Sequence, residues 1–169
     1  YNPNYTFEPN SPVVIAKELS IKFSNKLLSI NFVDATFKNQ IIDNNSALTI
    51  DFNPSNPLLD INLLSNALIN EEITNLLSQY NIVVPFSQVE GKIKSRVDIQ
   101  IDLVTDLIST KAIFKSKHTV FNFNDNNITI NNALLHLDNL NLSLKHSDII
   151  INNNNIEGSA YGDINLKDE

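Results

Sequence analysis

VEGKIKSRVDIQIDL, residues 89–103, changes character at every step. Its odd positions hold Val89, Ile93, Val97, Ile99, Ile101 and Leu103, interrupted by Gly91 and Ser95. Its even positions hold Glu90, Lys92, Lys94, Arg96, Asp98, Gln100 and Asp102. Successive strand side chains project to opposite sides, so this spacing means one largely apolar face backed by a wholly polar one. An amphipathic helix would need a period near 3.6, and the stretch has a period of two. Extended over its full length it would run about 50 Å at about 3.3 Å per residue. The sequence therefore predicts a long, half-exposed strand.

The same pattern recurs on both sides. Leu19, Ile21 and Phe23 alternate before a turn at Ser24-Asn25-Lys26, and Leu28, Ile30 and Phe32 alternate after it. Leu48, Ile50 and Phe52 follow the turn residues Asp43-Asn44-Asn45; beyond Pro54 and Pro57 come Leu59, Ile61 and Leu63. Downstream, a strand from Phe114 through His118 to Phe121 and Phe123 meets the Asn124–Asn127 turn. Ile128 and Ile130, Leu135 and Leu137, and Leu140, Leu142 and Leu144 follow it. A last hairpin joins Ile149–Ile151 to Ile156 and the Gly158–Leu166 stretch across four asparagines. Asn and Asp tolerate left-handed backbone, and turn signals spaced in this way mark an antiparallel meander. One segment departs from it. Ile69, Ile73, Leu76, Leu77 and Tyr80 lie at helical spacing. Asn70 is placed as an N-cap, and Glu71 and Glu72 occupy a first turn where carboxylates favour the helix dipole. The expected fold is mainly β: a long, curved antiparallel sheet with one short amphipathic helix near 70–80. No linker divides residues 1–169, so the expectation is a single domain.

Composition narrows the function. The 169 residues carry 12 Lys+Arg against 19 Asp+Glu, a net charge of -7 that disfavours binding of nucleic acid. Cysteine is absent, which removes disulfides, thiolate chemistry and Cys-ligated metals. The absence of an initial methionine suggests an excerpt of a longer protein. Three glycines are too few for Gly-rich phosphate-binding loops. His118, His136 and His146 fall on different strands without metal-ligand spacing, so no metal or cofactor is expected. No serine lies in a nucleophile-elbow context and no carboxylate pair marks a cleft, so catalysis is not expected. Lys92, Lys94 and Arg96 make a basic stripe that is either a solvated face or a contact for lipid phosphate. Asn127-Ile128-Thr129 is a glycosylation sequon on an expected turn, with Asp125 two positions earlier.

NEEITNLLSQYNIVVPFSQVEGKIKSRVDIQIDL resembles a region of the AsmA-like superfamily near its YhdP and TamB branches, in which a short helix leads into a Gly-then-alternating strand. The run from Ala112 to the EGSAYGD hairpin resembles the same family, so the likeness covers roughly residues 60–166. The resemblance implies a periplasmic β-sheet bridge moving phospholipid between the inner and outer membranes. Its inner-membrane anchor would lie outside this chain. Period two by itself fits the dry core of a sandwich as well as an open trough; the resemblance favours the trough. Ile93, Val97, Ile99, Ile101, Phe114, Phe121, Leu137, Leu140, Leu142 and Leu144 are the expected acyl-contacting residues, with Lys92, Lys94 and Arg96 at the rim. The rival readings are a structural or adhesive β-sandwich or β-solenoid and a carbohydrate-active β-sandwich enzyme. Low glycine weakens the solenoid, and the lack of tryptophan weakens the enzyme.

Overall fold

The computed structural model describes residues 4–5, 14–37, 40–71, 74–75, 87–123, 126–151 and 156–165. Among them the chain is mainly β, as the period of two requires. The strands are β1 (Asn4–Tyr5), β2 (Val14–Ser24), β3 (Leu27–Phe37), β4 (Gln40–Ile42), β5 (Ala47–Asp51) and β6 (Leu58–Ala67). They continue as β7 (Ser87–Glu90), β8 (Ile93–Asp102), β9 (Ile108–Phe123), β10 (Asn126–Asp138), β11 (Asn141–Ile151) and β12 (Ile156–Asn165). Hydrogen bonding follows the order β1-β2-β3-β4-β6-β8-β9-β10-β11-β12, with β5 beside β3 and β6, and β7 beside β9. Two compact units are present: Tyr1–Asn66 with Ser95–Ala112, and Ala67–Lys94 with Ile113–Glu169.

In the first unit β2 and β3 close on a two-residue turn between Ser24 and Leu27. Asn25 and Lys26 both take positive φ, 50° and 66°. That is the type I′ geometry whose twist matches antiparallel strands. Proline-bounded Leu58–Ala67 pairs with β5, which pairs in turn with β3. The buried apolar cluster is small, Ala16, Ala35 and Ile42, flanked by Val14, Leu19, Phe32 and Phe37. Beside it Ser46 is fully buried, and its hydroxyl accepts the Leu64 amide at 2.8 Å.

In the second unit the expected strand over 89–103 does not run unbroken. It stops at Glu90 and resumes at Ile93. Gly91 takes φ +89°, and a Cβ there would come within 2.7 Å of the His118 carbonyl oxygen and 2.8 Å of Thr119 Cα. Only glycine combines that backbone with so close an approach. Gln88, buried, fastens the same corner: its Oε1 accepts the Ile69 amide at 2.8 Å and its Nε2 donates to the Gly91 carbonyl at 3.1 Å. Of the expected helix, Glu71, Thr74 and Asn75 are helical, and the Thr74 amide donates to the Asn70 carbonyl at 3.1 Å. Ile73, Leu76, Leu77 and Tyr80 lie outside the described residues.

β10, β11 and β12 complete this unit as two successive hairpins. Their registers slip between Ile130 and Asn132 on β10 and between Leu144 and Ser147 on β11. Each slip is a bulge that shifts the alternation by one residue.

Candidate functional site

The apolar faces of the two units are built from cross-strand rows. In the first unit one row runs Ile21, Ile30, Leu48, Ile61, each opposite the next. A second runs Phe23, Leu28, Ile50, Leu59. Three side-chain pairs fix how β8 joins them: Asn62 with Asp98, Asp60 with Gln100 at 2.9 Å, and Ser65 with Ser95 at 2.7 Å. All three belong to one antiparallel register, which sets Ile99 opposite Ile61, Val97 opposite Leu63 and Ile101 opposite Leu59. The interruption at Ser95 is thus matched by Ser65 across the strand pair. Five strands at about 4.8 Å spacing carry the Ile21–Ile99 row over about 19 Å.

These side chains are not enclosed. Ile21 and Phe23 are exposed, and Ile30, Leu48, Ile61, Val97, Ile99 and Ile101 are half-buried. Among the described residues the buried apolar side chains are Ala16, Ala35, Ile42 and Ala112. A second layer packed on the rows would have buried isoleucines and leucines instead. The aliphatic rows are therefore partly buried, with Ile21 and Phe23 exposed at their ends.

The second unit has corresponding rows: Ile128, Ile151, Ile156; Ile130, Ile149, Gly158; Leu135, Leu144, Gly162; and Leu137, Leu142, Ile164. The bulges keep all four on one face, although the apolar positions change from even to odd along β10 and again along β11. Of the expected acyl-contacting residues, Leu137 and Leu142 are direct partners, and Leu144 sits opposite Leu135. Ile93, Phe114 and Phe121 are half-buried, Phe121 opposite Gln88. Leu140 is in the turn between β10 and β11 rather than on a strand, because Asn139 takes φ 53° and reverses the chain one residue earlier. Val97, Ile99 and Ile101 belong to the first unit, as above.

The polar groups are occupied with one another. Arg96 donates to both oxygens of Asp98, at 2.9 and 3.3 Å, so it is paired with a carboxylate on the polar face. Partial burial pushes the Asp98 carboxyl up. Hydrogen bonds from Arg96 and Asn62 and the Arg96 charge outweigh this and hold it below its ordinary value of 3.8. Asp102 is lowered by the amides of Thr105 and Val104, which donate to its Oδ1 at 3.0 and 2.8 Å. Lys92 and Lys94 are exposed. A shallow depression of about 240 Å³ lies over Asp60, Asn62, Asp98, Gln100, Ser109 and Lys111, and its carboxylates are those already named.

The histidines stay apart in role: His118 Nδ1 is 3.3 Å from Asn131 Oδ1, His136 pairs across the sheet with Ser143, and His146 Nε2 is 3.0 Å from Asp148. Among the described residues no three His, Asp or Glu side chains gather as metal ligands. Asn127 is exposed near the start of β10 and accepts a hydrogen bond from Asn122 at 3.1 Å; Asp125 lies outside the described residues. Reading the sequence by period missed Gln88, the Ser65–Ser95 pair and the bulges. The bulges had a signal in the change of phase between Ile130 and Leu135; the serines had none.

Comparison with protein-family models, with curated proteins and with solved structures found no match.

Proposed function

We propose that this chain is a non-catalytic lipid carrier, a segment of an AsmA-like bridge whose sheet holds phospholipid acyl chains on its aliphatic face. The observation that carries this reading is the incomplete burial of the in-register aliphatic rows. Ile30, Leu48, Ile61 and Ile99 line up across four strands yet are not fully buried. An apolar surface of this kind is costly to leave in water, and each methylene transferred from water onto such a surface gains up to about 0.8 kcal/mol. An acyl chain lying along the rows would recover part of that energy while its headgroup stays hydrated. Movement would be passive, since no step requires a bond to be made or broken. The residues bearing the load in the first unit are Val97, Ile99 and Ile101 with their partners on β3, β5 and β6. In the second unit they are Phe114, Phe121, Leu137, Leu142 and Leu144, with Ile93 at the head of β8. In this reading the chain works in the bacterial periplasm, tethered to the inner membrane by a segment elsewhere in the protein.

Native mass spectrometry of the protein purified from membrane-containing bacteria tests the proposal. Phospholipid adducts are expected on the parent protein, and their loss is expected in Ile99→Asp and Leu142→Asp variants that keep the parent circular-dichroism spectrum. Protein that emerges free of lipid, or variants that retain it, would contradict the carrier reading and leave the structural or adhesive role.

A further inference from the structure

Three connections meet at one end of the first unit. Antiparallel pairing sets Asp51 opposite Leu27. The Phe52 amide donates to the Lys26 carbonyl at 2.8 Å, and the Leu103 amide donates to the Pro57 carbonyl at 3.0 Å. The β2–β3, β5–β6 and β8–β9 turns are therefore neighbours. Surface connections are ordinarily polar. These carry Phe52, Leu103, Val104 and Leu107, with Phe23 and Ile108 on the adjoining strand ends. Val104 is 69%, Leu107 71%, Ile108 64% and Phe23 65% exposed. The Phe23 and Phe52 rings lie 6.1 Å apart, so those two side chains form one patch rather than scattered apolar residues.

Two features say what such a tip meets. First, six of its amides, those of Phe52, Asn53, Leu103, Val104, Thr105 and Asp106, are bonded within the tip. Asp102 Oδ1 accepts the Val104 and Thr105 amides, the Asp102 carbonyl accepts Asp106, and Asp51 accepts Asn53; Phe52 and Leu103 are held as above. Amides already bonded within the protein lower the cost of entering a lipid interface, where water is scarcer. A protein partner binding by strand addition would instead need free amides and carbonyls. Second, the charges beside the tip, Asp51, Asp102 and Asp106 against Lys22 and Lys26, give no basic excess to draw an anionic surface. The tip also continues into the aliphatic face, because Phe23 begins the Phe23–Leu28–Ile50–Leu59 row.

We propose that this end of the first unit docks on a zwitterionic lipid surface, sinking Phe52, Leu103, Val104 and Leu107 into the boundary between headgroups and acyl chains. The inference goes beyond the carrier reading and stands on separate observations; joined to it, the tip is where an acyl chain would pass between membrane and sheet.

The chain contains no tryptophan, so single reporters are clean. Val104→Trp and Ile41→Trp proteins are mixed with vesicles of phosphatidylcholine, plain and dibrominated. Ile41 is the control: it is 70% exposed and lies on β4, beside the far end of β3. The expected result is a shift of the Val104→Trp emission to shorter wavelength and quenching by brominated lipid, both insensitive to salt. Neither change is expected for Ile41→Trp. Adding Leu107→Asp to Val104→Trp should abolish both, while adding Ile99→Asp should leave them intact even where carried lipid is lost. Four results would overturn the proposal: no quenching at position 104, equal quenching at both reporters, binding confined to anionic vesicles and removed by salt, or an emission shift that follows protein concentration without vesicles. The Ile99→Asp arm separates failure of docking from failure of carriage.

Discussion

Gly91 decides more of the local structure than any neighbouring residue. Its φ of +89° and its approach to His118 and Thr119 convert an alternating sequence into two strands that meet at a corner. A Gly91→Ala change must strain the backbone and displace the neighbouring main chain. Left-handed backbone costs an L-residue about 1–2 kcal/mol, and overpacking adds about 1–3 kcal/mol. Urea unfolding should show a loss of about 2 kcal/mol or more; a change within about 0.5 kcal/mol, the size of an ordinary surface substitution, would contradict the account of this corner. Asp98 gives a residue-level test of a different kind. Its carboxyl is held below 3.8 in the folded chain, so it contributes stability above 3.8 that is lost as pH falls through its lowered value. Asp98→Asn should lower the melting temperature at neutral pH, and the gap to the parent should close as the pH drops below 3.8. A gap that widens in acid would reverse the sign and refute the pairing with Arg96 and Asn62.

Strands were legible from the sequence because a period of two has only one structural meaning when sustained over many residues, as at Ile93–Asp102. The type I′ turn at Asn25-Lys26 was legible as a turn from its residue types, though Lys26 gave no hint of its positive φ. What period could not show is where the phase changes. Ile128 and Ile130 are even, Leu135 and Leu137 odd, Leu142 and Leu144 even, Ile149 and Ile151 odd, and only the bulges place all eight on one face. Lys145 lies in the slip on β11. Its side chain is half-exposed and 3.9 Å from Asp163, an ion pair of a kind worth little in water. Lys145→Ala should therefore unfold within about 0.5 kcal/mol of the parent. Deleting residue 145 instead removes the extra residue, so that Leu142, Leu144, Ile149 and Ile151 alternate without interruption and stay on one face. The deletion should therefore also unfold within about 1 kcal/mol of the parent, at the mild end of what single changes cost. A loss of about 3 kcal/mol or more on deletion, measured by thermal unfolding, would mean that residue 145 is not the extra residue that sets the phase.

Across the whole chain, the contrast is between abundant aliphatic residues and scarce apolar burial. Hydrophobic residues make up 42% of the sequence, yet the apolar residues buried among those described are three alanines and one isoleucine. That contrast could not be read from the sequence, because alternation looks the same whether a second layer covers the apolar face or leaves it open. The polar side was partly legible: the acidic balance and the missing cysteines narrowed the chemistry, and the paired side chains on β6 and β8 account for much of it as sheet cross-links. The central claim is that the aliphatic face, and not the polar one, holds lipid. Photo-crosslinking in cells with a benzophenone amino acid placed at one position at a time tests it most directly. Probes replacing Ile99 or Leu142 should capture phospholipid, while probes replacing Gln100 or Ser143, one residue along on the other face, should not. Equal capture from both faces, or none from either, would contradict the account.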